Sequence, residues 1–118
     1  MQVGQAATVS RSYSRADLEG FAGLSGTEVP LIIPEPLIAA LFSYLLGVKL
    51  PGPGTNYLKQ ELRFLAPASA DTELTARVEI TRLRPDKHLV DLWATCTDAH
   101  GALICEGRSL VKAKDIAA

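Results

Sequence analysis

The feature that most constrains this chain is a ten-residue apolar segment, Leu37–Leu46, enclosed between Pro36 and Gly47. Its side chains are apolar almost all round a helix, and a helix of that kind is expected to be buried on every side. Pro36 suits the first turn of a helix, and Gly47 is a typical residue at a helix end. The segment is too short to span a bilayer. It therefore predicts a helix inside a protein core.

Downstream of this segment the pattern changes to alternation of apolar and polar residues, which is typical of half-buried β-strands. Short turns join several of these strands, so we expect them to be antiparallel neighbours. In the first strand, alternation predicts that Leu58, Leu62 and Phe64 share one face. The pattern predicts four strands: Tyr57–Leu65, Glu73–Leu83, His88–Thr97 and Ala102–Lys112.

Upstream of the apolar segment we predict a short strand, Thr8–Tyr13, and a helix, Arg15–Leu24. Ser14 and Asp17 have nearly the spacing of a capping box at the start of that helix, and Gly26 follows its end. Between the two helices, three prolines exclude a regular helix or a central strand. The last residues, Asp115–Ala118, are expected to form a short tail.

A single apolar helix beside several long strands has to lie across their sheet, because nothing else in so short a chain can bury it. The sequence therefore predicts an α+β fold, a bent antiparallel sheet wrapped around one central helix, in a single domain over residues 1–118. A domain of this size buries a modest share of its surface, so we also expect it to dimerise.

Composition excludes several classes of protein. The chain is 47% hydrophobic and 21% charged, so a folded core is expected rather than disorder. Its net charge of −1 excludes the basic surface of a nucleic-acid binder and a polybasic membrane anchor. Cys96 and Cys105 have neither disulfide-framework nor metal-ligand spacing. We expect no metal, no cofactor, no membrane segment, and a reducing, cytoplasmic location.

Several motifs, in order along the chain, carry a family resemblance. The most specific is the run from Leu50 to Pro67, which reads LPGPGTNYLKQELRFLAP. It is preceded by Ser14–Leu18, by the piece from Phe21 to Gly26, and by Leu45-Leu46-Gly47. With these motifs the chain resembles the MaoC-like dehydratase and (R)-specific enoyl-CoA hydratase family, whose members have the hot-dog fold.

The resemblance implies a protein that handles acyl-CoA or another acyl thioester in fatty acid metabolism. Family members add water across the double bond of a trans-2-enoyl-CoA, or remove it. By resemblance, Tyr44 and the turn carrying Pro53, Gly54 and Asn56 are expected to contact the ligand. The expected partner is a second hot-dog subunit, in a homodimer or a heterodimer.

The chain departs from the family where its chemistry lies. Family members continue after Leu-Ser-Gly with Asp-x-Asn-Pro-x-His, in which the Asp and the His share the proton transfers. Here Thr27 stands at the position of the Asp, Val29 at that of the Asn and Ile32 at that of the His, while Pro30 is retained. The segment between Gly26 and Leu37 is also shorter than in the family. Neither threonine nor isoleucine can act as an acid or base near pH 7.

Three interpretations follow from this departure. In the first, the chain binds acyl thioesters without ordinary hydratase activity, and could be the non-catalytic half of a heteromeric hydratase. In the second, it is an active dehydratase, thioesterase or cyclase whose rewired site uses Glu35 or Glu28. In the third, only the scaffold remains. Glu35 has a purely structural alternative, since an acidic residue in a first turn also stabilises the helix dipole.

Overall fold

A computed structural model describes residues 1–113, within which a bent antiparallel sheet encloses one long helix. The predicted α+β class is confirmed, and the expected tail at Asp115–Ala118 lies outside the described residues. In chain order the elements are β1 (Ala6–Arg11), α1 (Arg15–Ser25), α2 (Glu35–Tyr44), a π-helical turn (Leu45–Lys49), β2 (Asn56–Phe64), β3 (Leu74–Arg84), a 3-10 turn (Pro85–Lys87), β4 (Leu89–Thr97) and β5 (Leu103–Lys112).

The five strands form one sheet in the order β1-β3-β4-β5-β2, with every neighbouring pair antiparallel. The predicted alternation in β3 and β4 is confirmed, because the side chains from Leu74 to Ile80 and from Leu92 to Cys96 are alternately buried. These inward side chains pack with α2 into one hydrophobic core. The predicted helix across the sheet is therefore present.

The first strand lies two residues earlier than predicted, at Ala6–Arg11 rather than Thr8–Tyr13. It pairs with β3 from Ala6 opposite Glu79 to Arg11 opposite Leu74, and β3 begins at Leu74. Beyond Arg11 the chain has no strand to pair with. Tyr13 is buried instead, and its hydroxyl donates a hydrogen bond to the carbonyl oxygen of Leu37 at 2.9 Å. This contact ties the start of α1 to the start of α2.

The predicted capping box of α1 is confirmed. The backbone N–H of Asp17 donates to the Ser14 hydroxyl, and the backbone N–H of Ser14 donates to the Asp17 carboxylate at 2.8 Å. Gly26 ends the helix in the left-handed conformation, with φ of 74°. The polar and small residues around Gly26 thus turn the chain into the proline-containing loop that leads to α2.

Two expectations for α2 are wrong. Gly47 does not end the helix, because the chain continues as a π-helical turn to Lys49. In this turn the backbone N–H of Leu50 donates a hydrogen bond to the carbonyl oxygen of Leu45 at 2.8 Å. The helix is also not buried all round, because the sheet covers only one of its faces. Phe42 and Leu45 are fully buried, whereas the opposite face, carrying Ala40, Ser43 and Tyr44, is exposed.

Strand β2 is one of the two edge strands of the described sheet, and a bulge between Tyr57 and Lys59 changes which of its side chains face the helix. Leu62 and Phe64 are partly buried against the core, but Leu58 is 53% exposed, so its predicted place on the inward face is wrong. Sequence alternation cannot reveal a bulge, since one extra residue reverses the alternation beyond it.

Gly107 marks a close approach of β2 to β5. It lies opposite Leu62, and a Cβ atom there would lie 1.8 Å from the carbonyl oxygen of Glu61. No side chain fits in that space, so the backbones of β2 and β5 approach each other more closely at this point than at an ordinary strand pair.

The outer face of the sheet holds a buried ion pair. Asp91 is 5% exposed and accepts hydrogen bonds from Arg84 at 2.6 Å and from the Nε of Arg108 at 2.7 Å. Burial alone raises the pKa of Asp91, but the hydrogen bonds from Arg108 and Arg84 outweigh it and hold the pKa below its usual value. This cluster joins β3, β4 and β5 on the side of the sheet away from α2.

Candidate functional site

Two grooves meet at the start of α2, and Glu35 and Phe64 line both of them. The first, here called the Ile32 groove, has a volume of about 280 Å³ and is otherwise lined by Ile32, Ile33, Ile38 and residues 65–68. The second, the Gln60 groove, has a volume of about 320 Å³ and is otherwise lined by Pro36, Ala39, Gln60 and Leu62. Both grooves therefore lie between the start of α2 and the second half of β2.

Glu35 supplies both a carboxyl group and a backbone donor at this point. As the first residue of α2 its N–H has no acceptor within the helix. Pro36 has no N–H, and the N–H of Leu37 donates to the carbonyl oxygen of Pro34 at 3.0 Å. The helix dipole favours negative charge or a carbonyl oxygen beside the Glu35 N–H. The Glu35 carboxyl group would compete with a ligand for the space beside this N–H.

A short polar chain leads from the Gln60 groove towards the core. The Gln60 side-chain amide donates to the Tyr57 hydroxyl, which is hydrogen-bonded to the hydroxyl of Ser109 at 2.8 Å. Ser109 is fully buried, and burial raises the pKa of Tyr57 despite the hydrogen bonds from Ser109 and Gln60. Tyr57 therefore remains a neutral phenol near pH 7. Gln60 is the uncharged polar side chain that a ligand in this groove can reach.

Cys105 pairs across the strands with Phe64 and lies fully buried behind the site. Burial raises the pKa of its thiol to about 12, and the negative charges of Cys96 and Glu35 add to that effect. Burial likewise raises the pKa of Cys96 to about 11. A thiol becomes a nucleophile only as a thiolate. Cys105 is therefore a small buried side chain here and has no nucleophilic role.

The residues proposed from the sequence lie in several places. Ile32 is 49% exposed, lines the groove named after it and forms an isolated β-bridge with Ser69. Thr27 and Glu28 are exposed in the loop after α1, and neither lines the two grooves. Of the residues that line the grooves in the described part of the chain, Glu35 is the one with an ionisable side chain.

The residues that the family resemblance implies for ligand contact do not line the two grooves. Tyr44 is 44% exposed on the outer face of α2, and Pro53 is exposed in the turn before β2. Gly54 and Asn56 line another cavity, of about 240 Å³, together with His88, Lys112 and Ala113. Asn56 begins β2 and Phe64 ends it, so the strand rise puts their Cα atoms roughly 25 Å apart.

Neither histidine lines the two grooves. His88 ends the turn between β3 and β4, with φ of 56°, and His100 is exposed in the turn between β4 and β5. Over residues 1–113, no three His, Cys, Asp or Glu side chains group closely enough to hold a metal ion. None of the helices in the same range has the length and apolar character needed to cross a bilayer.

Phe64 and Gln60 are site residues that motif reasoning missed. Alternation along β2 did indicate that Phe64 faces inward, but nothing in the sequence shows that it meets Glu35. That meeting depends on the packing of β2 beside α2 in the folded chain, where β2 also passes close to β5 at Gly107. The signal available in the sequence was Gly107 itself, an unexplained glycine within a predicted strand.

The bent five-stranded sheet around one helix, with a groove at the helix start, defines a hot-dog protein. A solved structure of the same architecture is the (R)-hydratase from A. caviae involved in PHA biosynthesis, with a TM-score of 0.90 and 38% identity over 96% of this chain and 97% of that one. Among curated proteins, the chain is 38% identical to an (R)-specific enoyl-CoA hydratase of Aeromonas caviae, over 95% of each chain. It is 36% identical to the (R)-specific enoyl-CoA hydratase of Rhodospirillum rubrum, over 92% of this chain and 85% of that one.

The chain therefore belongs to the (R)-specific enoyl-CoA hydratase family, as the ordered motifs indicated. No family model matches it. The alignment with the Aeromonas protein runs over 127 positions, more than the 118 residues of the chain. That relative thus carries residues for which this chain has no counterpart.

Proposed function

We propose that this protein binds acyl thioesters at the start of α2 and does not catalyse ordinary enoyl-CoA hydration. The observation that carries the proposal is the composition of the two grooves: Glu35 is their one ionisable side chain, and Ile32 lies where the family resemblance expects the histidine. Hydration requires one group that activates water and one that delivers a proton. A single carboxyl group beside apolar walls does not supply both.

Thioester binding is supported by the helix start itself. The Glu35 N–H, at the positive end of the α2 dipole, suits the partial negative charge of a thioester carbonyl oxygen. During hydration that oxygen gains negative charge, and the neighbouring Glu35 carboxylate would repel it. The site therefore favours the neutral ground state over the charged transition state, which is the reverse of what catalysis requires.

A non-catalytic subunit of a heteromeric hydratase is the role that fits such a site. A related subunit that retains the Asp-x-Asn-Pro-x-His motif would carry the chemistry, while this chain would help to enclose the acyl group. The cytoplasm is the proposed location, since Cys96 and Cys105 are free thiols and acyl-CoA metabolism is the proposed setting.

The second candidate is an enzyme with rewired acid–base chemistry. Glu35 favours it, because this carboxyl group lines both grooves and stands next to the backbone N–H at the helix start. It could activate water for attack on an acyl thioester. Glu28 is the other candidate carboxylate, but it is exposed in the loop after α1, so a movement of that loop would have to bring it to the grooves.

A hydration assay separates the two candidates. We expect the purified protein to bind crotonyl-CoA or butyryl-CoA in calorimetry, but to leave the absorbance of the enoyl group of crotonyl-CoA unchanged. Glu35→Gln should retain binding, because it keeps the N–H and removes the charge. Turnover that disappears in Glu35→Gln or Glu28→Gln would establish the rewired enzyme. Turnover that survives both substitutions together would refute the non-catalytic proposal and the glutamate alternative.

We further propose a dimer in which β2 pairs with β2 of a second copy. Its outer edge has no strand beside it within the described residues. We place the twofold axis of this antiparallel pair at Gln60. Lys59 of each copy then lies opposite Glu61 of the other, so the charges are complementary at both positions. The Asn56 end of one strand then lies beside the Phe64 end of the other. Gly54 and Asn56 would thereby reach the groove of the neighbouring copy.

Light scattering after size exclusion tests this interface. Lys59→Glu should shift the protein towards the monomer, since like charges would then face each other at both positions. Combining Lys59→Glu with Glu61→Lys should restore the dimer, and Lys87→Glu, in the exposed turn before β4, provides a matched charge reversal as control. A dimer unaffected by Lys59→Glu would contradict the β2 pairing. A monomer that dimerises only with a catalytic homologue would support the heteromeric role.

A further inference from the structure

The two grooves at the start of α2 differ in chemistry. Apart from Glu35, the Ile32 groove has only apolar side chains: three isoleucines and Phe64 together with Leu65, Ala66, Pro67 and Ala68. The Gln60 groove has a side-chain amide on its wall. An alkyl chain gains free energy by leaving water for apolar walls, whereas an amide-containing arm gains a hydrogen bond as well in the Gln60 groove.

Phe64 is the wall that the grooves share. It is partly buried against the core, is held in β2 opposite Cys105, and lines both grooves together with Glu35. Every other lining residue belongs to one groove only. A ligand carbonyl on the Glu35 N–H therefore lies at the junction, with one groove leading away on each side and the Phe64 ring between them.

We infer that Phe64 is a specificity-determining residue that limits the length of acyl chain held in the Ile32 groove. This inference rests on the proposed binding of acyl thioesters. The alkyl chain occupies the Ile32 groove, the pantetheine arm of the CoA thioester passes through the Gln60 groove beside the Gln60 amide, and the aromatic ring closes one groove off from the other. Ile32 contributes an apolar wall in place of a proton donor.

Chain-length dependence of binding tests the assignment. Saturated acyl-CoA esters from four to twelve carbons are titrated into the full protein by calorimetry. Affinity should rise about fourfold for each methylene that enters the groove, and then level off once the chain reaches the ring. Phe64→Ala should move this plateau to longer chains, because it removes the wall between the grooves. Phe64→Leu, which keeps a core side chain, should move it less and guards against unfolding of the alanine variant.

Three further variants separate the roles. Ile32→Ser should reduce the gain per methylene, whereas Gln60→Ala should weaken every ester by the same factor because it acts on the arm they share. Trp93→Ala removes a 43% exposed aromatic side chain on the opposite face of the sheet and should leave the plateau unchanged. A plateau that stays at the same chain length in folded Phe64→Ala and Phe64→Leu would overturn this inference alone. No binding of any ester to the wild-type protein would overturn the proposed function, and this inference with it.

Discussion

Replacing Gly107 with alanine should be the most damaging small substitution in this chain. The added Cβ would lie 1.8 Å from the Glu61 carbonyl oxygen and 2.8 Å from the Cα of Leu62. Both contacts are with backbone, so no side-chain rotation relieves them. Strand β2 would have to move by about 1.5 Å to restore ordinary contact, and it would lose its pairing with β5 at this point.

The cost can be worked from that displacement. Two strained or broken backbone hydrogen bonds and local overpacking sum to about 3–5 kcal/mol in the free energy of unfolding. For a domain of this length the corresponding fall in Tm is roughly 15 °C. Because β2 carries Gln60 and Phe64 of the two grooves, we also expect acyl-CoA binding to weaken in whatever protein remains folded.

Urea denaturation followed by the fluorescence of Trp93, the single tryptophan, measures the change. Gly20→Ala is the matched control, since Gly20 lies inside α1 with nothing within 4 Å of an added Cβ. That control should stabilise the protein by up to about 1 kcal/mol. A Gly107→Ala variant within 1 kcal/mol of the wild type would refute the close approach of the two strands.

Two further predictions concern titratable groups. Asp91→Asn should lower the free energy of unfolding at pH 7 by about 2–3 kcal/mol, because it leaves Arg84 and Arg108 without a counter-charge. Since the pKa of Asp91 is lowered in the folded protein, its contribution is present at neutral pH and is lost as the pH falls below about 4. Urea titrations from pH 3 to 7 should therefore show a steeper acid loss in the wild type than in the variant, and parallel curves would contradict the ion pair. Burial raises the pKa of Cys96 to about 11 and that of Cys105 to about 12, so neither thiol should react with iodoacetamide at pH 8 until urea unfolds the protein. Rapid labelling of the folded protein would contradict their burial.

Much of the fold was predictable because it depends on local patterns. The apolar run at the centre of the chain indicated α2, and the alternation around Val78 and Leu92 indicated which faces of β3 and β4 are buried. Ser14 and Asp17 indicated the start of α1, and the structure has the capping box expected there. In each case the signal lies within a few residues of the element it describes.

The wrong predictions share one physical cause: each depends on contacts between residues that are far apart in the sequence. The position of β1 depends on where β3 begins, and the exposure of Tyr44 depends on how much of α2 one sheet can cover. The bulge after Tyr57 reversed the alternation and moved Leu58 to the outside. Neither the partner strand nor the bulge has a local signature in the sequence.

The sequence alone determined the family, the α+β class and the absence of the usual acid–base residues, because ordered motifs and missing side chains are properties of the chain itself. The tertiary structure decided which side chains lie together at the start of α2. It brought Phe64 and Gln60 to Glu35 around the start of α2, and it left Glu28 in an exposed loop. Only the folded chain reveals that arrangement and the close approach of β2 and β5 at Gly107, because both depend on contacts between residues far apart in the sequence.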